Sequence, residues 1–211
     1  MLPEIFKLFW KTVERKDARR INSQTPPTEI EQFCDIQYID DGLWHHRLDV
    51  YSKSGKLSHR PVIIDIHGGG WMYGTKEINK NYCLVLAQND YVVVNINYRL
   101  APDFSVADQL RDCFFAFKWV STNIEKYGGD LNNVFVTGDS AGGFLAAYSA
   151  LLNSSDRLRK VFGVTESGLE FRACGLTSPV CFMNTHTFQD VYYSRVKGKE
   201  FSESTLRGSE N

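Results

Sequence analysis

No stretch of this 211-residue chain approaches the roughly 20 consecutive apolar residues that a membrane-spanning helix needs. The first segment, MLPEIFKLFWKTVERKDARR, starts apolar but carries Glu4 and Lys7, and it lacks the long uncharged core and small-residue cleavage site of a signal peptide. A soluble, cytoplasmic protein without stable membrane insertion is expected. An excess of one charge is also lacking: 24 Lys and Arg stand against 25 Asp and Glu, a formal net charge of −1. That balance supplies no field to gather nucleic acid or another polyanion, so no nucleic-acid partner is expected. Cysteines are few and odd in number: Cys34, Cys83, Cys113, Cys174 and Cys181, scattered among apolar neighbours. They fit no complete disulfide framework and show no zinc-knuckle or Cys-x-x-Cys spacing, so reduced, mostly buried thiols are expected. His45 and His46 are adjacent in a strand-like segment, where neighbours point to opposite faces, so they do not readily share a metal. Internal repeats and low-complexity blocks are absent.

What is present is an alternation of strand-like and helical segments. Leu2, Ile5, Phe6, Phe9 and Val13 recur at helical spacing, which predicts an amphipathic helix docked on its own domain. FCDIQYID and HHRLDVYS then read as two strands of a hairpin around Asp41-Gly42. PVIIDI (61–66) and YVVVNIN (91–97) are nearly continuous β-branched runs of the kind that strands buried on both faces require. Between them Ile78, Tyr82, Val85 and Leu86 predict a helix over 75–88 capped by Thr75. Val106, Leu110, Cys113, Phe114, Phe117, Val120 and Ile124 predict a second helix, stopped by Gly128-Gly129 before the strand VFVTG. A further helix begins at Ser140 and runs through Leu145, Tyr148 and Leu152, and LEFRACGLTSPVCF supplies one more strand-like segment. Such alternation implies right-handed crossovers and a mostly parallel sheet with helices on both faces, preceded by an antiparallel pair. The organisation expected is a cap-like helix and linker over 1–30, an α/β core over 31–185 and an irregular tail over 186–211. Tyr192-Tyr193 with Arg195 and Lys197 carries too few charges to hold nucleic acid and reads as part of that tail.

Gly138-Asp139-Ser140-Ala141-Gly142 matches G-x-S-x-G, and it lies directly after a predicted strand and directly before a predicted helix, the context in which the motif has physical meaning. Its glycines permit a sharp turn that exposes Ser140 on strained backbone, and the following helix aims its first amides at developing negative charge. A small-residue strand-to-helix turn, as in nucleotide-binding folds, is the plainer reading of that motif alone. His67-Gly68-Gly69-Gly70-Trp71 follows the buried strand PVIIDI and places a second flexible turn at the same edge of the sheet. Ester cleavage passes through a tetrahedral oxyanion, and each backbone N–H aimed at it is worth a few kcal/mol. The expected donors are Gly69, Gly70 and the amide of Ala141, with Ser140 as nucleophile. His67, Gly68 and Asp139 are expected to support the loop, His67 by bracing it, since it precedes the serine in sequence.

HGGGW, then NYRLAPDF, then GDSAGG, in this order and at these separations, resembles the hormone-sensitive-lipase-like branch of the α/β-hydrolases (α/β-hydrolase fold-3), which contains many bacterial carboxylesterases and acetylesterases. The resemblance covers roughly residues 35–185. It implies the α/β-hydrolase fold, a small-molecule ester of short acyl chain as substrate, and no metal or organic cofactor. It also implies that Tyr98, Arg99 and Pro102 shape the turn after the fourth strand, with Asp112 on the next helix likewise part of the scaffold.

A serine hydroxyl is a weak nucleophile until a histidine, oriented by an acid, takes its proton, and in this fold the order is Ser, then Asp or Glu, then His. Downstream of Ser140 stands only His186, preceded by Asp156, Glu166 and Glu170. None is well placed: Asp156 follows a helix, Glu166 and Glu170 flank a turn, and His186 reads as an exposed loop residue. The segments supply the first six of the usual eight strands, so two strand-helix units of about 30 residues each are missing and a C-terminal truncation is expected. LEFRACGLTSPVCF would then be an open sheet edge, suited to self-association. Two readings follow: a short-chain acyl or acetyl esterase with impaired activity, or a catalytically inactive hydrolase-like module for binding or interaction.

Overall fold

The computed structural model describes residues 2–55, 59–181 and 201, with side chains from residue 8 onward. In chain order the elements are α1 (Leu2–Asn22), β1 (Ile30–Gln37), β2 (Arg47–Lys53), β3 (Arg60–Ile66), α2 (Lys80–Gln88), β4 (Val92–Ile96), α3 (Val106–Asn123), β5 (Gly129–Asp139), α4 (Ser140–Asn153), α5 (Asp156–Phe162) and β6 (Phe171–Thr177). The strands form one sheet in the order β1-β2-β4-β3-β5-β6. β1 and β2 are antiparallel to each other, and β2 to β4, whereas β4, β3, β5 and β6 run parallel.

Alternation along the strands builds a different layer on each face. Leu48, Val50, Val62, Ile64, Ile66, Val92, Val94, Ile96, Val134 and Val136 share a core with α3, α4 and α5. Tyr51 and Val93 point the other way and pack with Cys83, Leu84 and Ala87 of α2. All five residues of β4 are buried, which is why its sequence shows no polar alternation. Each fully buried Val or Ile contributes about 1.5–3 kcal/mol relative to exposure. α3 starts on a capping box, in which the Ser105 side chain accepts from the Asp108 amide and the Asp108 carboxylate accepts from the Ser105 amide.

Several expectations need correction. The strands of the first pair stop at Gln37 and resume at Arg47, so the connection is a longer loop, not a tight hairpin at Asp41-Gly42. Asp41 instead accepts from the Leu43 amide, an Asx-type turn, and its other oxygen lies 2.7 Å from His46 Nδ1. His45 and His46 therefore sit in a turn and not in a strand. The helix expected over 75–88 begins as a 3-10 turn, Lys76–Ile78, which Thr75 caps by accepting from the Glu77 amide. That tighter turn rotates the phase of α2, so Cys83, Leu84 and Ala87 face the sheet while Tyr82 and Val85 are exposed. α1 docks through Trp10, stacked 5.4 Å from Tyr73, and through Asp17 and Arg20; Phe9, expected on the docked face, is exposed. Only Cys83 and Cys113 of the five thiols are buried, and Cys34 and Cys181 are exposed. α5 was not anticipated; Ser155 caps it and Gly163 ends it in the left-handed region.

The tail 186–211 lies outside the described residues except Phe201, whose ring packs on Phe144, Tyr148 and Phe162. No helix among the described residues is long and apolar enough to cross a membrane.

Candidate active site

β5 ends at Asp139 and α4 begins at Ser140 with no residue between them, so the chain reverses within one peptide unit. Ser140 absorbs the reversal at φ 51°, in the left-handed region, at a cost of about 1–2 kcal/mol for a residue with a side chain. The turn closes because Gly142 has no side chain: a Cβ there would lie 1.9 Å from the Ile66 carbonyl oxygen and 2.4 Å from that of His67. The first turn of α4 thus packs backbone to backbone on the end of β3, where the glycine loop departs. Ser140 is half-buried, and its carbonyl accepts from the Val180 amide at 3.1 Å.

The loop is held from several sides. Gly69 adopts φ 115°, and a Cβ there would meet the Tyr73 carbonyl oxygen at 2.0 Å, so only glycine fits. The Gly68 amide donates to Asp139 Oδ1 at 2.9 Å, tying the loop to the residue before Ser140. His67 is fully buried and stacked on Tyr98 with ring centroids 4.3 Å apart, and its Nδ1 donates to the Gly68 carbonyl at 2.7 Å. Burial lowers its pKa to about 4, so it is neutral at pH 7. The Tyr98 hydroxyl donates to the His67 carbonyl at 2.7 Å. Trp71 is buried edge-on against Phe144, and its carbonyl accepts from the Ala101 amide and from Gln109 Nε2. Gly69 and Gly70 are half-buried, and Ala141 is buried at the helix start.

Behind the loop, Arg99 grips Asp112 of α3 through Nη2 to Oδ1 at 2.6 Å and Nε to Oδ2 at 2.9 Å, and its backbone amide donates to Oδ2 at 2.9 Å. His46 Nε2 lies 3.2 Å from Asp112 Oδ1. Burial alone lowers the His46 pKa, but Asp112 and Asp41 together outweigh it and raise the value. Pro102 is exposed in the turn that follows Arg99. Asp112→Ala leaves the Arg99 guanidinium and amide without their acceptor in a mostly buried setting. A loss of about 3 kcal/mol is expected by urea denaturation, far above an exposed ion pair's 0–1 kcal/mol.

Sequence reasoning missed Asp65 and Asn79. Asp65 lies on the α2 face of β3, level with Asn95 of β4 and Thr137 of β5, and Asn95 is in turn level with Asp49 of β2. Asn79 Nδ2 donates to both Asp65 Oδ2 and Asp139 Oδ1, each at 2.9 Å. Burial raises the Asp65 pKa to about 7; the Asn79 bond offsets part of that and the nearby Asp139 charge adds to it. The available signal was an aspartate inside an otherwise apolar strand.

The expected acids are elsewhere. Glu166 and Glu170 precede β6 and so lie at the opposite rim from Ser140, and Asp156 pairs with Arg159 within α5. His186 lies outside the described residues. Among the described residues no cluster of three or more His, Cys, Asp or Glu could hold a metal ion.

Residues 48–188 match the family model BD-FAE, a segment that contains the whole glycine loop, elbow and α4. The chain belongs to the BD-FAE family. Among curated relatives, the versiconal hemiacetal acetate esterase of Dothistroma septosporum is 38% identical over 131 residues, 61% of this chain and 38% of that protein. Carboxylesterase NlhH of Mycobacterium tuberculosis is 34% identical over 145 residues, 66% of this chain and 45% of that protein. A phosphonate-inhibited esterase B from Lactobacillus rhamnosis superposes with a TM-score of 0.87 at 30% identity, covering 100% of this chain and 66% of the other. A bacterial heroin esterase, at 21% identity and TM-score 0.68, shares the fold. This BD-FAE member is thus an α/β-hydrolase of the hormone-sensitive-lipase-like carboxylesterase group, and its matched segment spans less than half the length of those two curated relatives.

Proposed function

We propose that the chain carries the nucleophile and oxyanion half of a carboxylic ester hydrolase acting on short acyl or acetyl esters, with Ser140 as nucleophile and the amides of Gly69, Gly70 and Ala141 as oxyanion donors. The observation that carries this reading is the contact of Gly142 with the Ile66 and His67 carbonyls, which seats the elbow against the root of the glycine loop. Ser140 Oγ would attack the ester carbonyl carbon while its proton passes to a base. The carbonyl oxygen becomes an oxyanion held by the three amides, and its collapse expels the alcohol, which leaves with a proton. Water then attacks the acyl-enzyme, and the carboxylic acid departs as Ser140 Oγ regains a proton. His67 is not the base in this scheme, because both its burial and its bond to Gly68 commit it to the loop. Among the described residues no histidine follows Ser140 in sequence, and His186, the one histidine after it, lies outside them. The relative named for an acetate ester and the neighbour inhibited by a tributyrin phosphonate support a short acyl group.

A short-chain alkyl phosphonate supplies the test. One covalent adduct is expected, mapping by peptide mass to the segment that contains Ser140, together with hydrolysis of nitrophenyl acetate and butyrate. A folded sample that takes no label and turns over neither ester would overturn the reading and leave the inactive binding module.

A further inference from the structure

We infer that Asp65 and Asn79 are positioning residues of this site: the Asn79 amide bridges the carboxyl groups of Asp65 and Asp139 and thereby holds Gly68 and Ser140 in one frame. The inference rests on the ester-hydrolase reading for its catalytic meaning. Asn79 Nδ2 has two hydrogens and spends one on each carboxyl, at 2.9 Å and 2.9 Å. Asp139 Oδ1 takes that hydrogen together with the Gly68 amide, also at 2.9 Å. A run of three bonds therefore leads from the interior of β3 to the residue before Ser140 and the residue before Gly69.

Asn79 is itself placed by the polar row beneath it. The Lys76 amide donates to Asn97 Oδ1 at 2.7 Å, Asn95 Nδ2 donates to the Lys76 carbonyl at 2.7 Å, and Lys76 Nζ lies 2.9 Å from Asp49 Oδ1. The turn Lys76–Ile78 is thus fastened to β2 and β4 independently of the glycine loop, so the Asn79 amide is a fixed donor. The titratable groups facing Asp65 are Asp139, the buried Cys83 thiol and Tyr82; Asp49, next but one along the row, is neutralised by the buried Lys76. Among the described residues no cation acts on Asp65. When Asp65 ionises, it tightens its own bond to one Asn79 hydrogen and repels Asp139 across the shared amide, so the grip of Asp139 on Gly68 changes.

The Gly68 amide proton in the 15N-labelled full chain reports that grip. Between pH 5.5 and 8.5 it is expected to titrate with a midpoint near 7, where the Asp65 carboxyl changes state. His67, at about 4, is outside that window. The titration should vanish in Asp65→Asn. In Asn79→Leu, which keeps Asp65 but cuts the bridge, its amplitude should fall several-fold, and phosphonate labelling of Ser140 should slow tenfold or more. A Gly68 amide that stays flat in the native chain, or titrates unchanged in either variant, overturns the inference even if Ser140 labels normally. A titrating Gly68 in a chain that neither labels nor turns over esters upholds the bridge and overturns the hydrolase reading instead.

Discussion

Ser140→Ala is expected to abolish phosphonate labelling and to lower nitrophenyl butyrate hydrolysis to the level of direct water attack while the protein stays folded. Both losses follow from the role proposed for Ser140: without Oγ there is no acyl-enzyme, and the glycine loop and helix start can stabilise only a direct attack by water. The fold should tolerate the change because the alanine inherits the same φ of 51° and is a better helix former at the head of α4. Ser140→Gly separates the two effects. It should lose activity equally, yet gain stability of about 1 kcal/mol or slightly less, since glycine adopts the left-handed region without the side-chain penalty but is a poorer helix former. Turnover that survives in Ser140→Ala would assign the nucleophile elsewhere.

Gly142→Ala is expected to be severely damaging, because a Cβ there would make the closest backbone approach of the glycines described. Helix propensity alone predicts a gain of about 1 kcal/mol, so a loss can come only from tertiary contact. The new Cβ would stand 1.9 Å from the Ile66 oxygen, 2.4 Å from the His67 oxygen and 2.6 Å from the His67 carbonyl carbon. All three are backbone atoms, and Ile66 is in register with Gly138 in the parallel β3–β5 ladder, so no flexible side chain can yield. α4 would have to lift from β3 by more than an ångström, which also pulls Asp139 from Gly68. We expect a destabilisation above about 4 kcal/mol, read as a Tm lower by about 10 °C or more, or as insoluble protein. An unchanged Tm would mean that the elbow does not rest on β3.

Where sequence reasoning succeeded, local chemistry and tertiary demand agreed. PVIIDI and YVVVNIN read as buried strands because no polar side chain interrupts them on the α3–α4 face, and the helix from Val106 keeps one apolar phase over its whole length. It failed where a few residues could satisfy their backbone in two ways. Thr75 can cap an α-helix or a 3-10 turn, and the buried Lys76, drawn to Asp49, goes with the latter and shifts every side chain after it. Asp41-Gly42 can make a tight hairpin, but the Asp41 carboxylate serves Leu43 and His46 instead, which places His46 beside Asp112.

By itself the sequence determined the alternation of buried strands and helices, and the two glycine-bearing turns at the carboxyl ends of β3 and β5. These depend on side-chain size and periodicity over a few neighbouring residues. Only the tertiary structure decided that the turns touch through Gly142, that His67 is locked onto Tyr98, and that Asp65 reaches Asp139 through Asn79. Those contacts join residues as much as 76 positions apart, as in Gly142 against Ile66. A hydrogen bond or a missing Cβ acts through distance in space, which no local pattern of residues encodes.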